Sequence, residues 1–215
     1  MKKFTYIISI ILCLSFVATF FTACTPKDIK DWESNQKYDD GNPYYKDYYQ
    51  IFVYGFADGN GDGVGDLKGV EQKLDYIADL GFNGIWLSPI HPSPTSHKYD
   101  VTDYLSVDEE FGTLDDFKSL VAAAHGKGIS VMLDMVFNHT SNHHPWFEAA
   151  QQAYREGKES KYRSYYMFTD NQGDSYETFG GYSHMPKLNL DNEDVRGEID
   201  AICKFWLKDC KVDGF

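Results

Sequence analysis

Positive charge is what this chain is short of. Its 20 Lys and Arg face 33 Asp and Glu, a formal net charge of -13. Phosphate backbones would be repelled, which excludes nucleic acid and leaves neutral ligands or cations as partners. Cysteine is scarce as well: of four, Cys13 and Cys24 lie at the amino terminus, leaving Cys203 and Cys210. Those two fall seven apart on a predicted helix, roughly 10 Å from each other, too far for a disulfide. The apolar run from Tyr6 to Phe21 stops short of the roughly 20 residues a membrane span needs. Aromatic residues, by contrast, are abundant, with 16 Tyr and 15 Phe. Their flat faces fill cores and also stack on sugar rings. With 42% hydrophobic and 25% charged residues over 215 positions, the chain has room for one sizeable domain, or one and a part.

The first segment is not fold. Met1-Lys2-Lys3, the apolar run, and the small residues from Ala18 to Cys24 read as an export signal over residues 1–24. Phe21-Thr22-Ala23-Cys24 resembles a bacterial lipobox, with Phe where an aliphatic residue is usual. Lipidation of Cys24 would anchor the exported protein at the cell envelope or surface; ordinary cleavage and an uncleaved anchor are the alternatives. Residues 25–46 are polar, acidic and tyrosine-rich, with an Asp39-Asp40-Gly41-Asn42-Pro43 turn cluster, and read as a tether.

From Tyr48 a strand-then-helix rhythm begins. Gln50 to Tyr54 is a first short strand, followed by a Gly- and Asp-rich loop. A helix from about Leu67 to Leu80 then carries Leu67, Val70, Leu74, Ile77 and Ala78 on one face. Gly84 to Ser88 is a second strand. Thr113, with Asp116 three residues on, caps a second helix whose stripe is Leu114, Phe117, Leu120, Val121 and Ala124. Ile129 to His139 is a third strand, rich in β-branched residues, carrying Asp134 and ending in Asn138-His139. Polar residues at the carboxyl end of such a strand face the ligand crevice of a parallel sheet. The class is therefore α/β, with right-handed crossovers.

Between His139 and about Asn192 the rhythm stops, so an irregular subdomain inserted over the crevice is expected. A helix from about Asp194 to Lys208 follows, and Val212-Asp213-Gly214-Phe215 starts a fourth strand. An apolar strand does not normally end a protein at its midpoint, and the chain reads as a fragment.

Asp58, Asn60, Asp62 and Asp66 place oxygen ligands at near-alternate positions, with glycines between them and Val64 offering a carbonyl. That opens like an EF-hand calcium loop. The twelfth position, where a bidentate Glu belongs, is Gly69, and the element before the loop is a strand. A full EF-hand is disfavoured, and a Ca2+ loop of related geometry is the expectation.

Taken together, the DGNGDGVGD loop, GIWLSP, KYDVTDY, FGTLDDF, DMVFNH, MPKLN and VDGF resemble the glycoside hydrolase 13 family, the α-amylase and oligo-glucosidase group, from about residue 48 to the end. The resemblance implies a partial (β/α)8 barrel over residues 47–215, with the inserted B subdomain at about 139–192. It implies a retaining hydrolase of α-glucans such as starch or maltodextrin. Tyr99 would stack on the sugar, Asp100 and His139 would bind its hydroxyls, and Asp134 would support the site. Asn138 ranks below the loop as a calcium ligand. In the family the nucleophile and acid/base come after the VDGF string, beyond Phe215, so Asp213 is not the nucleophile and this chain alone is expected to be inactive. The alternative is a calcium-dependent carbohydrate-binding or dockerin-like module. A dockerin would repeat the DxNxDG loop, which appears here once.

Overall fold

Three short strands, β1 (Tyr48–Ile51), β2 (Gly84–Leu87) and β3 (Ser130–Leu133), lie parallel in the order β1-β2-β3. The structure is a computed structural model that describes residues 46–215; the expected export signal, Cys24 and the expected tether as far as Tyr45 lie outside the described residues. Ile85 and Leu87 of β2 are fully buried, as the middle strand of a sheet covered by its crossovers should be. Tyr48 pairs with Gly84, and a Cβ at position 84 would stand 2.7 Å from the Tyr48 ring.

Helices connect the strands. After β1 a single turn, α1 (Val53–Phe56), leads into the Asp-rich loop, and α2 (Leu67–Gln72) and α3 (Leu74–Asp79) follow. α4 (Leu114–Gly126) joins β2 to β3. Thr113 and Asp116 form the expected capping box at its start. Leu67, Val70, Leu74, Ile77, Phe117, Leu120 and Ala124 close onto the strands in one core. Full burial of each such side chain stabilises by about 2 kcal/mol.

Several boundaries differ from expectation. The first strand begins two residues early and ends at Ile51, because Val53 turns back into the core as part of α1. The calcium-loop candidate is therefore preceded by a turn of helix. The helix expected over 67–80 breaks at Lys73, whose N–H bonds the Val70 carbonyl three residues back (3.0 Å). The third strand stops at Leu133, so Asp134 to His139 is loop.

The insert is more ordered than expected. It contains α5 (Pro145–Arg155), a 3-10 turn (Lys161–Ser164) and a small core of Phe147, Ala150, Tyr165, Tyr166, Leu188 and Val195. Its aromatic richness fills that core: Phe147 meets Tyr166 edge-on at 5.0 Å. α6 (Glu193–Lys208) returns the chain to the barrel side, capped by Asn192. The buried Trp206 on α6 meets Phe117 edge-on at 5.1 Å and donates through Nε1 to the Tyr104 carbonyl at 2.7 Å. α6 ends before Cys210, which lies buried beyond it; Cys203 and Cys210 are both free. The expected lack of a bridge stands, though the two do not share one helix.

The fourth strand has begun to pair. Gly214 sits parallel to Met132, the Asp213 N–H donates to the Val131 carbonyl (2.8 Å), and the Leu133 N–H donates to the Gly214 carbonyl (3.1 Å). Among the described residues, no helix is long and apolar enough to cross a membrane.

Candidate functional site

The loops after β2 and β3 leave the sheet at the same end, and this brings Tyr99, Asp100, Asp134 and His139 together. Tyr99 donates its hydroxyl to Asp134 Oδ2 at 2.9 Å. Its carbonyl oxygen lies 3.1 Å from His139 Nε2, and His139 Nδ1 lies 3.1 Å from the side-chain amide of Asn138. A carbonyl can only accept, so Nε2 carries the proton and Nδ1 accepts from Asn138. Burial holds the His139 pKa below its ordinary value, against the opposing Tyr99 hydrogen bond and Asp100 charge. The ring is therefore neutral at pH 7.

Asp100 is fully buried. Its Oδ1 accepts from the hydroxyls of Ser93 (2.6 Å) and Thr95, whereas Oδ2 has no partner. A buried carboxylate oxygen without a donor is costly, and a ligand hydroxyl would relieve it. Tyr99 is 37% exposed, leaving ring surface for stacking. Burial, and then the hydrogen bond to Asp134, push its phenol up to about 12.

The structure thus brings Tyr99, Asp100 and His139 together, and places Asp134 as the acceptor of the Tyr99 phenol. One detail departs from expectation: the His139 N–H is already spent on the Tyr99 carbonyl, so a sugar oxygen would have to share or displace that bond. Sequence reasoning missed Phe179, which stacks on the His139 ring at 4.8 Å and 18° and is 51% exposed. The only signal for it was an aromatic residue ahead of Gly180-Gly181, both of which adopt positive φ. It missed Ser93 and Thr95 too, since loop hydroxyls carry no periodicity.

The loop from Asp58 to Asp66 is closed by its own carboxylates. Asp58 accepts from the N–H groups of Asn60, Gly61 and Gly63 at 3.2, 2.6 and 2.8 Å. These bonds hold its pKa below the usual carboxylate value. Asn60 Oδ1 accepts from the Asp62 N–H, and Asp62 from the Val64 N–H. Asp66 is buried, caps α2 through Gly69 N–H (2.6 Å), and also takes the N–H groups of Gly59 and Asn60. The donor set is all oxygen and suits a hard cation. Among the described residues, however, no three Asp, Glu, His or Cys side chains are grouped to hold a metal ion. Asp58, Asn60, Asp62 and the Val64 carbonyl fit a cation in chemistry; Asp66 is committed to the fold and could only share. Asn138 is likewise engaged, with His139.

Asp213 has a structural role. Its Oδ2 accepts from the Val131 N–H (2.7 Å) and meets His125 Nε2 (2.8 Å).

The family profile described as "Alpha amylase, catalytic domain" matches residues 50–215. "Alpha-amylase 3" of Dictyoglomus thermophilum is 44% identical over 186 residues, covering 80% of this chain and 36% of that protein. "Oligo-1,6-glucosidase" of Parageobacillus thermoglucosidasius is 38% identical over 190 residues, covering 78% and 33%. The solved structure "Eubacterium rectale Amy13B" superposes with a TM-score of 0.73 at 47% identity, covering 80% of this chain and 36% of that one. The chain spans about a third of the length of these relatives. The match runs through the Asp58–Asp66 loop, so that loop belongs to the same unit as the strands and is not a separate dockerin-like module.

Proposed function

The chain belongs to the α-amylase catalytic-domain family of glycoside hydrolase 13 and carries the opening strands of its barrel, and from that premise we propose that it serves a retaining hydrolase of α-glucans. The observation that carries this reading is the meeting of Tyr99, Asp100, Asp134 and His139 around the buried, unpartnered Asp100 Oδ2. Tyr99 offers a stacking face to a sugar ring, and Asp100 Oδ2 accepts a sugar hydroxyl. Neutral His139 donates its Nε2–H in a hydrogen bond to a second sugar oxygen, shared with the Tyr99 carbonyl, a bond that strengthens as oxocarbenium character grows. Asp134 holds the Tyr99 phenol in place and does not attack. Retaining cleavage needs two carboxylates roughly 5 Å apart; in this reading Asp100 and Asp134 bind and support and are not that pair.

The test is hydrolysis of maltotetraose, starch and isomaltose by the full-length protein. Activity lost at least tenfold in both D100N and H139A, with folding intact, is the expected result. Unchanged activity in both variants would overturn the site, and no activity on any α-glucoside would overturn the substrate class.

The reading extends to calcium, held by Asp58, Asn60, Asp62 and the Val64 carbonyl with Asp66 sharing. Calcium would then raise the melting temperature and D58A would abolish that rise; melting curves that coincide with and without chelator would refute it. It extends also to export through residues 1–24 and lipid anchoring at Cys24. Labelled palmitate incorporated by the wild type and not by C24A is the check.

A further inference from the structure

Lys98 is an unusual residue for its place. Among the described residues it is one of two non-glycines with positive φ, at 62°, a region that a Cβ disfavours. It is also buried, 3% exposed. Its ammonium lies 2.8 Å from Asp108 Oδ2 and 2.5 Å from Glu110 Oε2, with the Phe111 ring 5.3 Å below. Asp108 Oδ2 also accepts the Ser93 N–H at 3.2 Å. One buried carboxylate thus grips both ends of the stretch 93–98. From that stretch Ser93 reaches Asp100, and residue 98 hands the chain directly to Tyr99.

We propose that Lys98 is the positioning residue of the pocket. Its clamp between Asp108 and Glu110 holds residue 98 in the left-handed conformation that turns the Tyr99 carbonyl onto His139 and the Asp100 carboxylate onto Ser93 and Thr95. Strain at one backbone position is offset by an ion pair set back from the pocket, and the gain appears one and two residues on, in the alignment of Tyr99 and Asp100. The Lys98 side chain meets Asp108, Glu110 and the Phe111 ring, and it acts on the pocket through the backbone.

This proposal rests on the sugar-pocket reading, and its test separates the two. In the full-length protein labelled with 15N-histidine, the His139 Nε2–H proton, at low field and slow to exchange while it is bonded to the Tyr99 carbonyl, reports that bond directly, without sugar. Maltose affinity reports the pocket. K98R keeps the clamp and should match the wild type in both. K98G/D108N keeps a backbone suited to positive φ and leaves no buried unpaired charge, so its stability should be close to wild type. It should nevertheless show the Nε2–H proton moved to higher field and exchanging faster, and bind maltose at least tenfold more weakly. E110Q loosens the clamp at its half-exposed end, a milder change should the double variant not fold, and should shift both readouts part of the way, with about a threefold loss of affinity. Retention of the wild-type Nε2–H shift, exchange rate and affinity in K98G/D108N, or in E110Q alone if only it folds, would overturn the role of Lys98. A wild type with the hydrogen-bonded Nε2–H signal and no maltose binding would overturn the sugar reading, while that signal still decides the clamp.

Discussion

The imidazole of His139 donates to the backbone carbonyl of Tyr99 and accepts from the side chain of Asn138. A ring read from both sides in this way has one neutral form that fits. N138D would place an acceptor at Nδ1 as well, so that only the doubly protonated ring satisfies both neighbours. The His139 pKa should then rise by about one unit or more, as followed by NMR titration of its ring carbons.

Asp100 supplies the buried acceptor of the pocket. A hydrogen bond to a charged group is worth about 1.5–3 kcal/mol, so D100N should weaken maltose binding by roughly ten- to a hundredfold. Calorimetry on wild type and variant measures it, and the melting temperature should change little.

Acid should destabilise the fold through two buried histidines. Burial brings His91 and His144 down to about 4 from 6.5. Between those values the unfolded chain binds the extra protons, so stability is fully present above about pH 6.5 and is lost as pH falls toward 4. Each ring contributes on the order of 3 kcal/mol to that loss. His144 also caps α5 through Nδ1, which accepts the Trp146 N–H at 3.1 Å, and protonation there removes the acceptor. H144N retains a capping oxygen without titrating, so urea denaturation of it should show a shallower acid limb.

Three glycines should respond differently to alanine. At Gly69 a Cβ would lie 1.9 Å from the Ala57 carbonyl oxygen, and G69A should cost about 3 kcal/mol. At Gly61 there is open space but φ is 88°, so G61A should cost about 1 kcal/mol. Gly126 closes α4 with nothing near, and G126A should stabilise by about 0.5 kcal/mol. Chemical denaturation ranks the three.

How much of this could be read from residues alone depends on range. The stripe Phe117, Leu120, Val121, Ala124 and the Thr113–Asp116 cap are local, and they appear in the structure as read. The Tyr99, Asp100 and His139 grouping was legible only through the resemblance carried by KYDVTDY and DMVFNH, since all three lie in loops beyond the strands. α5 was not, because Pro145 at its start and a histidine cap lie in a stretch dominated by Tyr, Gly and Ser. The Lys98 clamp was hidden for another reason. A lysine between His and Tyr looks solvated, and only the folded loop brings Asp108 and Glu110 to it.

The insert leaves and rejoins the chain at a narrow neck. His139 pairs antiparallel with Lys187, the Leu188 N–H bonds the Asn138 carbonyl (3.0 Å), and the Thr140 N–H bonds that of Pro186 (3.1 Å). A segment stitched shut at its root behaves as a cassette. Its length and composition can change while the neck keeps the same gap bridged, so the surface it presents can diversify without disturbing the strands beneath.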